Sequence, residues 1–166
     1  MSTESASSPG AHDEPGIEAY IGSCHCGHVK YSASLALSKP STFLQKCNCS
    51  ICRKVGYALL TASPKSSFKI VSPEEGVAGL SDYTFHNKAI NHYFCPHCGV
   101  RCFMFATLVQ DGEVAQEVYV NAGTLDGKAD GSKMVELSKM KVKYLDGKAE
   151  AWSAPPADTP YEGGLV

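Results

Sequence analysis

The chain has 166 residues, 43% of them hydrophobic and 19% charged, with a formal net charge of −2. That length suits one domain, and a chain of roughly 150 residues buries about two-thirds of its unfolded surface, enough for a core without staples. Acidic and basic residues are interspersed, which predicts neither a nucleic-acid nor a membrane surface, and no apolar run approaches the roughly 18 residues that span a bilayer.

Residues 1–16 are rich in Ser, Ala, Glu and Pro. They lack the apolar surface to offset ordering entropy, so a disordered tail is expected there, followed by one domain over 17–166. With no basic start and no apolar stretch, the tail does not read as a signal peptide. A reducing, cytoplasmic setting follows as an expectation, and there clustered cysteines point to metal or catalysis rather than disulfides. Within Ile17 to Leu37, apolar residues alternate at Val29, Tyr31 and Ala33, the period of a strand. Ser38-Lys39-Pro40 breaks it. Thr42 to Cys47, Tyr57 to Ala62 and Phe68 to Val71 read as further strands, the last closed by Ser72-Pro73. Leu80 to Phe85 alternates into a turn at His86-Asn87-Lys88. Ile90 to Cys95, Val100 to Leu108 and Glu117 to Ala122 complete the series. Short strands at roughly ten-residue spacing predict a mainly β sandwich or barrel-like fold. Leu125 to Leu137 has room for one short helical turn, and the stretch from Lys143 onward reads as a tail with one Trp and a Pro-rich end.

The eight cysteines fall into three groups: Cys24-His25-Cys26, then Cys47-Asn48-Cys49-Ser50-Ile51-Cys52, then Cys95-Pro96-His97-Cys98, with Cys102 just beyond. Structural zinc takes four ligands, commonly as two short pairs from separate loops. Glycine after each pair, Gly27 and Gly99, lets the backbone turn so that amide N–H groups face the sulfurs. Seven ligands do not divide into two sets of four. The C-x-C-x-x-C run at 47, 49 and 52 supplies three thiolates by itself, leaving Cys24, Cys26, Cys95 and Cys98 to close a structural site. The three-cysteine zinc then keeps an open position, as catalytic zinc does for water or substrate.

Gly22-Ser23-Cys24-His25-Cys26-Gly27-His28-Val29-Lys30-Tyr31, Cys47-Asn48-Cys49-Ser50-Ile51-Cys52-Arg53-Lys54 and Phe94-Cys95-Pro96-His97-Cys98-Gly99 resemble the glutathione-dependent formaldehyde-activating enzyme family, which includes centromere protein V type domains. Asn121-Ala122-Gly123-Thr124-Leu125-Asp126 and Trp152 look similar too. The resemblance spans roughly Ile17 to Gly164. It implies a β-tent fold of short antiparallel strands with cysteine loops. It also implies a structural zinc on Cys24, Cys26, Cys95 and Cys98 and a catalytic-type zinc on Cys47, Cys49 and Cys52. The family usually has histidine between the first two cysteines of the second group, where this chain has Asn48.

Several residues admit two readings. Cys102 is either a fourth ligand to the second zinc or a small buried thiol. His25 and His97 are loop residues or ligands; His86 and His92 are general-base candidates or ordinary surface and core residues. Arg53, Lys54 and Arg101 either hold the carboxylates of a thiol such as glutathione or screen an anionic thiolate cluster. The expected activity is that of a carbon–sulfur lyase, or its reverse, on a small-molecule thiol adduct of a reactive carbonyl, with zinc and glutathione as cofactor and co-substrate. The alternative is a non-catalytic zinc module that binds a partner or a thiol.

Overall fold

The computed structural model describes residues 15–110 and 112–166, excepting the side chain of residue 110, so residues 1–14 of the expected 1–16 tail lie outside the described residues. Eleven strands and one short helix are described: β1 (Glu18–Ser23), β2 (Lys30–Leu35), β3 (Leu44–Cys47), α1 (Ser50–Val55), β4 (Leu59–Thr61), β5 (Lys69–Ser72), β6 (Ser81–Tyr83), β7 (Ile90–Phe94), β8 (Arg101–Gln110), β9 (Glu113–Asn121), β10 (Leu125–Lys128) and β11 (Val142–Leu145). They form a four-stranded sheet in the order β10-β1-β2-β5 and a seven-stranded sheet in the order β11-β3-β4-β9-β8-β7-β6. The mainly β architecture expected of the sequence is the one observed. No described helix is long and apolar enough to cross a membrane.

Period-two alternation decides what each face of the large sheet carries, because successive strand residues point to opposite sides. Leu60, Val118, Val120 and Phe103 face the small sheet and pack with its Tyr20, Tyr31, Ala33 and Leu35, all buried. Phe68 and Phe105 join them, with Phe68–Phe103 and Tyr31–Phe68 ring centroids 4.7 and 5.6 Å apart. Such pairs contribute about 0.5–1.5 kcal/mol each beyond area burial. The neighbours of those residues in sequence, Leu59, Tyr119 and Met104, point the other way and build a second cluster with Cys47, Cys52 and Tyr57.

Four features differ from the sequence expectations. Helix α1 has only six residues, too few for helical periodicity to register, so Cys52 lies on a helix rather than in a loop. The expected helical turn within Leu125 to Leu137 is instead strand β10, an edge partner of β1, with 3₁₀ turns on either side at Ala122–Thr124 and Leu137–Lys139. The stretch after Lys143, read as tail, contains most of β11, which pairs with β3 in parallel, residue for residue from Val142↔Leu44 to Leu145↔Cys47; the other strand pairs are antiparallel. Finally, the β7–β8 ladder slips between Tyr93 and Phe94, so that Tyr93 faces Phe103 but Phe94 faces Arg101. This bulge puts the consecutive Cys102 and Phe103 both into the core and turns Arg101 to the opposite face.

Candidate metal centres

The sulfurs of Cys24, Cys26, Cys95 and Cys98 all lie within 4.8 Å of one another. Each pair sits on a tight turn after a strand, β1 for the first and β7 for the second. In the first, Gly27 N–H donates to Cys24 O and Cys24 N–H to Val29 O (3.1 and 3.0 Å); in the second, Gly99 N–H donates to Cys95 O and Cys95 N–H to Val100 O (2.9 and 3.0 Å). Both turns need a positive φ, +76° at Gly27 and +72° at Gly99, which glycine adopts without steric cost. The geometry frees amides to face sulfur: Val29 N–H donates to Cys24 Sγ at 3.2 Å and His97 N–H to Cys95 Sγ at 3.4 Å. Sulfur–sulfur separations of 3.6 Å, Cys24 to Cys26 and Cys26 to Cys95, are close to the roughly 3.8 Å edge of a tetrahedron with 2.3 Å zinc–thiolate bonds. The Val100 backbone N–H, first among several hydrogen bonds, holds the Cys98 thiol down at about 6. The four sulfurs, already hydrogen-bonded from the backbone, suit a soft or borderline cation.

Cys47, Cys49 and Cys52 bring their sulfurs together in the same range, and no fourth Cys, His, Asp or Glu among the described residues joins them. Cys47 ends β3, Cys49 caps α1 and Cys52 lies inside that helix, 7% exposed. Hydrogen bonds from Cys47 and Cys52, then from the Cys52 and Ile51 amides at the start of α1, hold the Cys49 thiol far below its ordinary range. Cys52, which donates to Cys47 and then to Cys49, is pushed up correspondingly. The group thus concentrates one negative charge readily and resists a second and third unless a cation is present, the behaviour of a thiolate ligand set. Each of the two clusters could hold a metal ion.

The remaining candidates separate cleanly. Cys102 belongs to neither group; it is 1% exposed in the core, its thiol donates weakly to Val100 O at 3.8 Å, and burial, then the nearby Cys24, Cys95 and Cys98, push it up to about 12. The reading of Cys102 as a fourth ligand to the three-cysteine site is therefore set aside. His25 and His97 are exposed and lie outside the ligand sets; the His97 ring instead packs edge-on against His28, 4.3 Å between centroids. His86 is exposed on its turn with φ +54°. Arg53 and Lys54 are exposed on the last turn of α1, three or fewer residues from the second cluster. His92, by contrast, is buried at 1% exposure on the face that carries the second cluster, opposite Met104.

Three further residues shape this region, of which the sequence singles out only Asn48, and that only as a departure from the family pattern. Gly147 lies against the second cluster so closely that a Cβ there would fall 2.5 Å from Cys47 Sγ and 2.4 Å from the Trp152 ring. Asn48 holds the same segment: its Nδ2 donates to Asp146 Oδ1 at 2.7 Å and its Oδ1 accepts from Lys148 N–H at 2.9 Å. The residue that departs from the family pattern therefore anchors the C-terminal segment over the cysteines. Tyr57 is buried beside Cys52 and 3.5 Å from His92 Nδ1 through its hydroxyl.

Comparison with known proteins agrees with this architecture. A crystal structure of a Rhodobacter sphaeroides protein, solved as a structural-genomics target, superposes with a TM-score of 0.54 at 26% sequence identity, covering 75% of this chain and 99% of that one. Residues 19–142, which hold both cysteine clusters and His92, match the family described as glutathione-dependent formaldehyde-activating enzyme, and the chain belongs to that family.

Proposed function

We propose that the protein is a zinc-dependent enzyme of carbon–sulfur lyase type that forms or cleaves thiol adducts of a small reactive carbonyl, with glutathione or a similar thiol as the sulfur partner. The observation that carries the reading is the inequality of the two clusters: four sulfurs in one, three in the other with no fourth ligand residue gathered among the described residues. On this reading Cys24, Cys26, Cys95 and Cys98 hold a structural zinc, and Cys47, Cys49 and Cys52 hold a second zinc with a position for substrate. When bound, that ion supplies the positive charge that keeps a substrate thiol ionised near neutral pH, where a free thiol with a pKa of about 8.5 is mostly protonated.

The chain's own residues supply the rest. Cys49, with amides of α1 directed at its sulfur, fixes the ligand loop. Arg53 and Lys54, exposed on the outer turn of α1, are positioned for the carboxylates of a peptide thiol approaching from solvent. A shallow groove of about 290 Å³ lined by Asn48, Asp146, Lys148, Tyr161 and Glu162 carries both signs of charge, which suits a zwitterionic thiol. Met104, Tyr57 and Leu59 present an apolar wall beneath the cysteines that limits water access.

The test joins metal content to turnover. Protein with two zinc ions should accelerate equilibration of the glutathione–formaldehyde adduct, and a chelator should remove one ion and the activity together while the fold persists. Two equally tight zinc ions and no effect on the adduct would point to a binding module instead.

A further inference from the structure

Two buried side-chain nitrogens among the described residues lack a hydrogen-bond partner, Nε2 of His92 and Nη1 of Arg101. Leaving a buried polar group unpaired costs about 1–3 kcal/mol, and more when it is charged. Both lie on the face of the large sheet that bears the second cysteine cluster. His92 faces Met104 across β7–β8, and Met104 packs with Cys47, Cys52 and Tyr57. Arg101 reaches this face only through the bulge, since unbroken alternation from Phe103 would send it into the core. Asn121 Nδ2 donates to the Arg101 carbonyl at 3.0 Å and so pins the bulge.

The two groups are held rather than loosely placed. The Arg101 guanidinium lies 4.8 Å from the Phe94 ring centroid and 5.8 Å from that of Tyr83. The His92 ring stacks on Phe85 and Tyr57, with centroids 5.8 and 6.0 Å away. Aromatic rings flank both side chains.

A guanidinium only donates. The Tyr57 hydroxyl lies 3.5 Å from His92 Nδ1, and we take it as the donor there. That leaves the imidazole proton on Nε2. Both unpaired nitrogens are then donors in want of an acceptor. Tyr57 packs with Cys47 and Cys52, and the Tyr83 ring lies 6.5 Å from the His92 ring and 5.8 Å from the Arg101 guanidinium, which places the pair beside the three-cysteine cluster.

We propose that His92 Nε2–H and Arg101 Nη1–H form a two-donor hole for the oxygen of the carbonyl-derived half of the substrate. The assignment rests on the thiol-adduct reading above and names where the reacting oxygen sits. In the forming direction the thiolate sulfur gives an electron pair to the carbonyl carbon. The C=O π pair moves to oxygen, and the alkoxide takes back from solvent the proton that the thiol released, giving the hydroxyl. Cleavage reverses these steps. Neither donor gives up its proton; each stabilises negative charge on oxygen from a buried, fixed position. The peptide carboxylates of the thiol have Arg53 and Lys54 outside, whereas Arg101 is walled in by Phe94 and Tyr83.

The experiment uses the zinc-replete full chain and formate, a one-carbon oxygen acceptor, as probe. Binding is followed by the side-chain ¹⁵N resonances of His92 and Arg101, and melting temperature is measured alongside. Formate should shift the His92 Nε2–H resonance of the wild-type protein. His92→Phe and Arg101→Met should each weaken formate binding tenfold or more, with the melting temperature showing that each variant is folded. His92→Gln, which keeps an N–H near the Nε2 position, should bind formate within a few-fold of wild type. Absence of a formate shift, or a His92→Gln loss as large as that of His92→Phe, overturns the proposal. So does wild-type formate affinity in the Phe and Met variants. Titrating the same samples with glutathione separates the two readings: a formate response that persists where glutathione has no effect keeps the oxygen hole and removes the thiol-adduct function.

Discussion

The two cysteine clusters sit at different places on the large sheet and differ in what surrounds them. The four-sulfur cluster joins the end of β1, in the small sheet, to the end of β7, in the large one, across about seventy residues of chain, and backbone N–H groups satisfy its sulfurs. Cys24 and Cys95 belong to the main core. The three-sulfur cluster draws all its ligands from residues 47–52 and lies on the opposite face, beside Tyr57, on the side of the sheet where His92 Nε2 lacks a partner. One cluster has every feature of a clamp. The other has three ligand residues among the described ones and, on the same face of the sheet, two buried nitrogens without a partner. The contrast teaches that ligand count alone says less than ligand count read together with which neighbours are left unsatisfied.

Removing a ligand from each cluster is the sharpest way to break this contrast. Cys98→Ser should give insoluble or unfolded protein, since a four-thiolate zinc contributes roughly 10 kcal/mol or more, about the stability of a whole domain. Cys52→Ser should abolish turnover and lose one zinc, yet retain the circular dichroism spectrum of the wild type and melt far above Cys98→Ser. The short loop it closes contributes less entropy than the long one, and three ligands bind more weakly than four. Equal damage from the two substitutions would make both sites structural. Next in size is Gly147→Ala. The added methyl meets Cys47 Sγ and must displace either the sulfur or the 146–149 turn, so a loss of about 1–3 kcal/mol is expected, with faster chelator removal of the second zinc only. The smallest effect belongs to the exposed cations. Arg53→Ala with Lys54→Ala should change stability by no more than about 0.5 kcal/mol. It should raise the KM for glutathione several-fold and leave kcat nearly unchanged, the pattern of lost uniform binding. An unchanged KM would return the pair to the simple role of screening thiolates.

Cysteine chemistry was readable because spacing alone limits which sulfurs can meet: C-x-C and C-x-x-C turns are short enough that their geometry is local. The strands carrying them were readable for the same reason, since alternation is a property of adjacent residues. What escaped depends on contacts across the fold. β11 has no independent signal in Val142-Lys143-Tyr144-Leu145 and is a strand only because β3 offers it an edge. Arg101 and Cys102 exchanged the faces that strict alternation would give them, because a bulge is set by the partner strand rather than by the residues that bulge. Asn48 reads as a missing histidine in sequence and as a two-bond tie to Asp146 and Lys148 in space. His92 looked like any histidine in an alternating run; only its burial without a partner at Nε2 distinguishes it.

The parallel pairing of β3 with β11 also has a consequence in time. The chain is made from its N-terminus, and Cys47 leaves the ribosome long before Gly147 and its strand can cover it. At roughly 5–20 residues per second, the interval is on the order of 5–20 s. During it the three thiols of the 47–52 loop stand in the solvent of the translating cell without their lid, while the partners of the first cluster, complete at Cys98, can already be closed. Metal capture at the second loop is then in competition with oxidation of its thiols. The segment that covers the loop is synthesised after every cysteine of the first cluster, so the order of synthesis itself favours filling the four-sulfur cluster first and the three-sulfur cluster second.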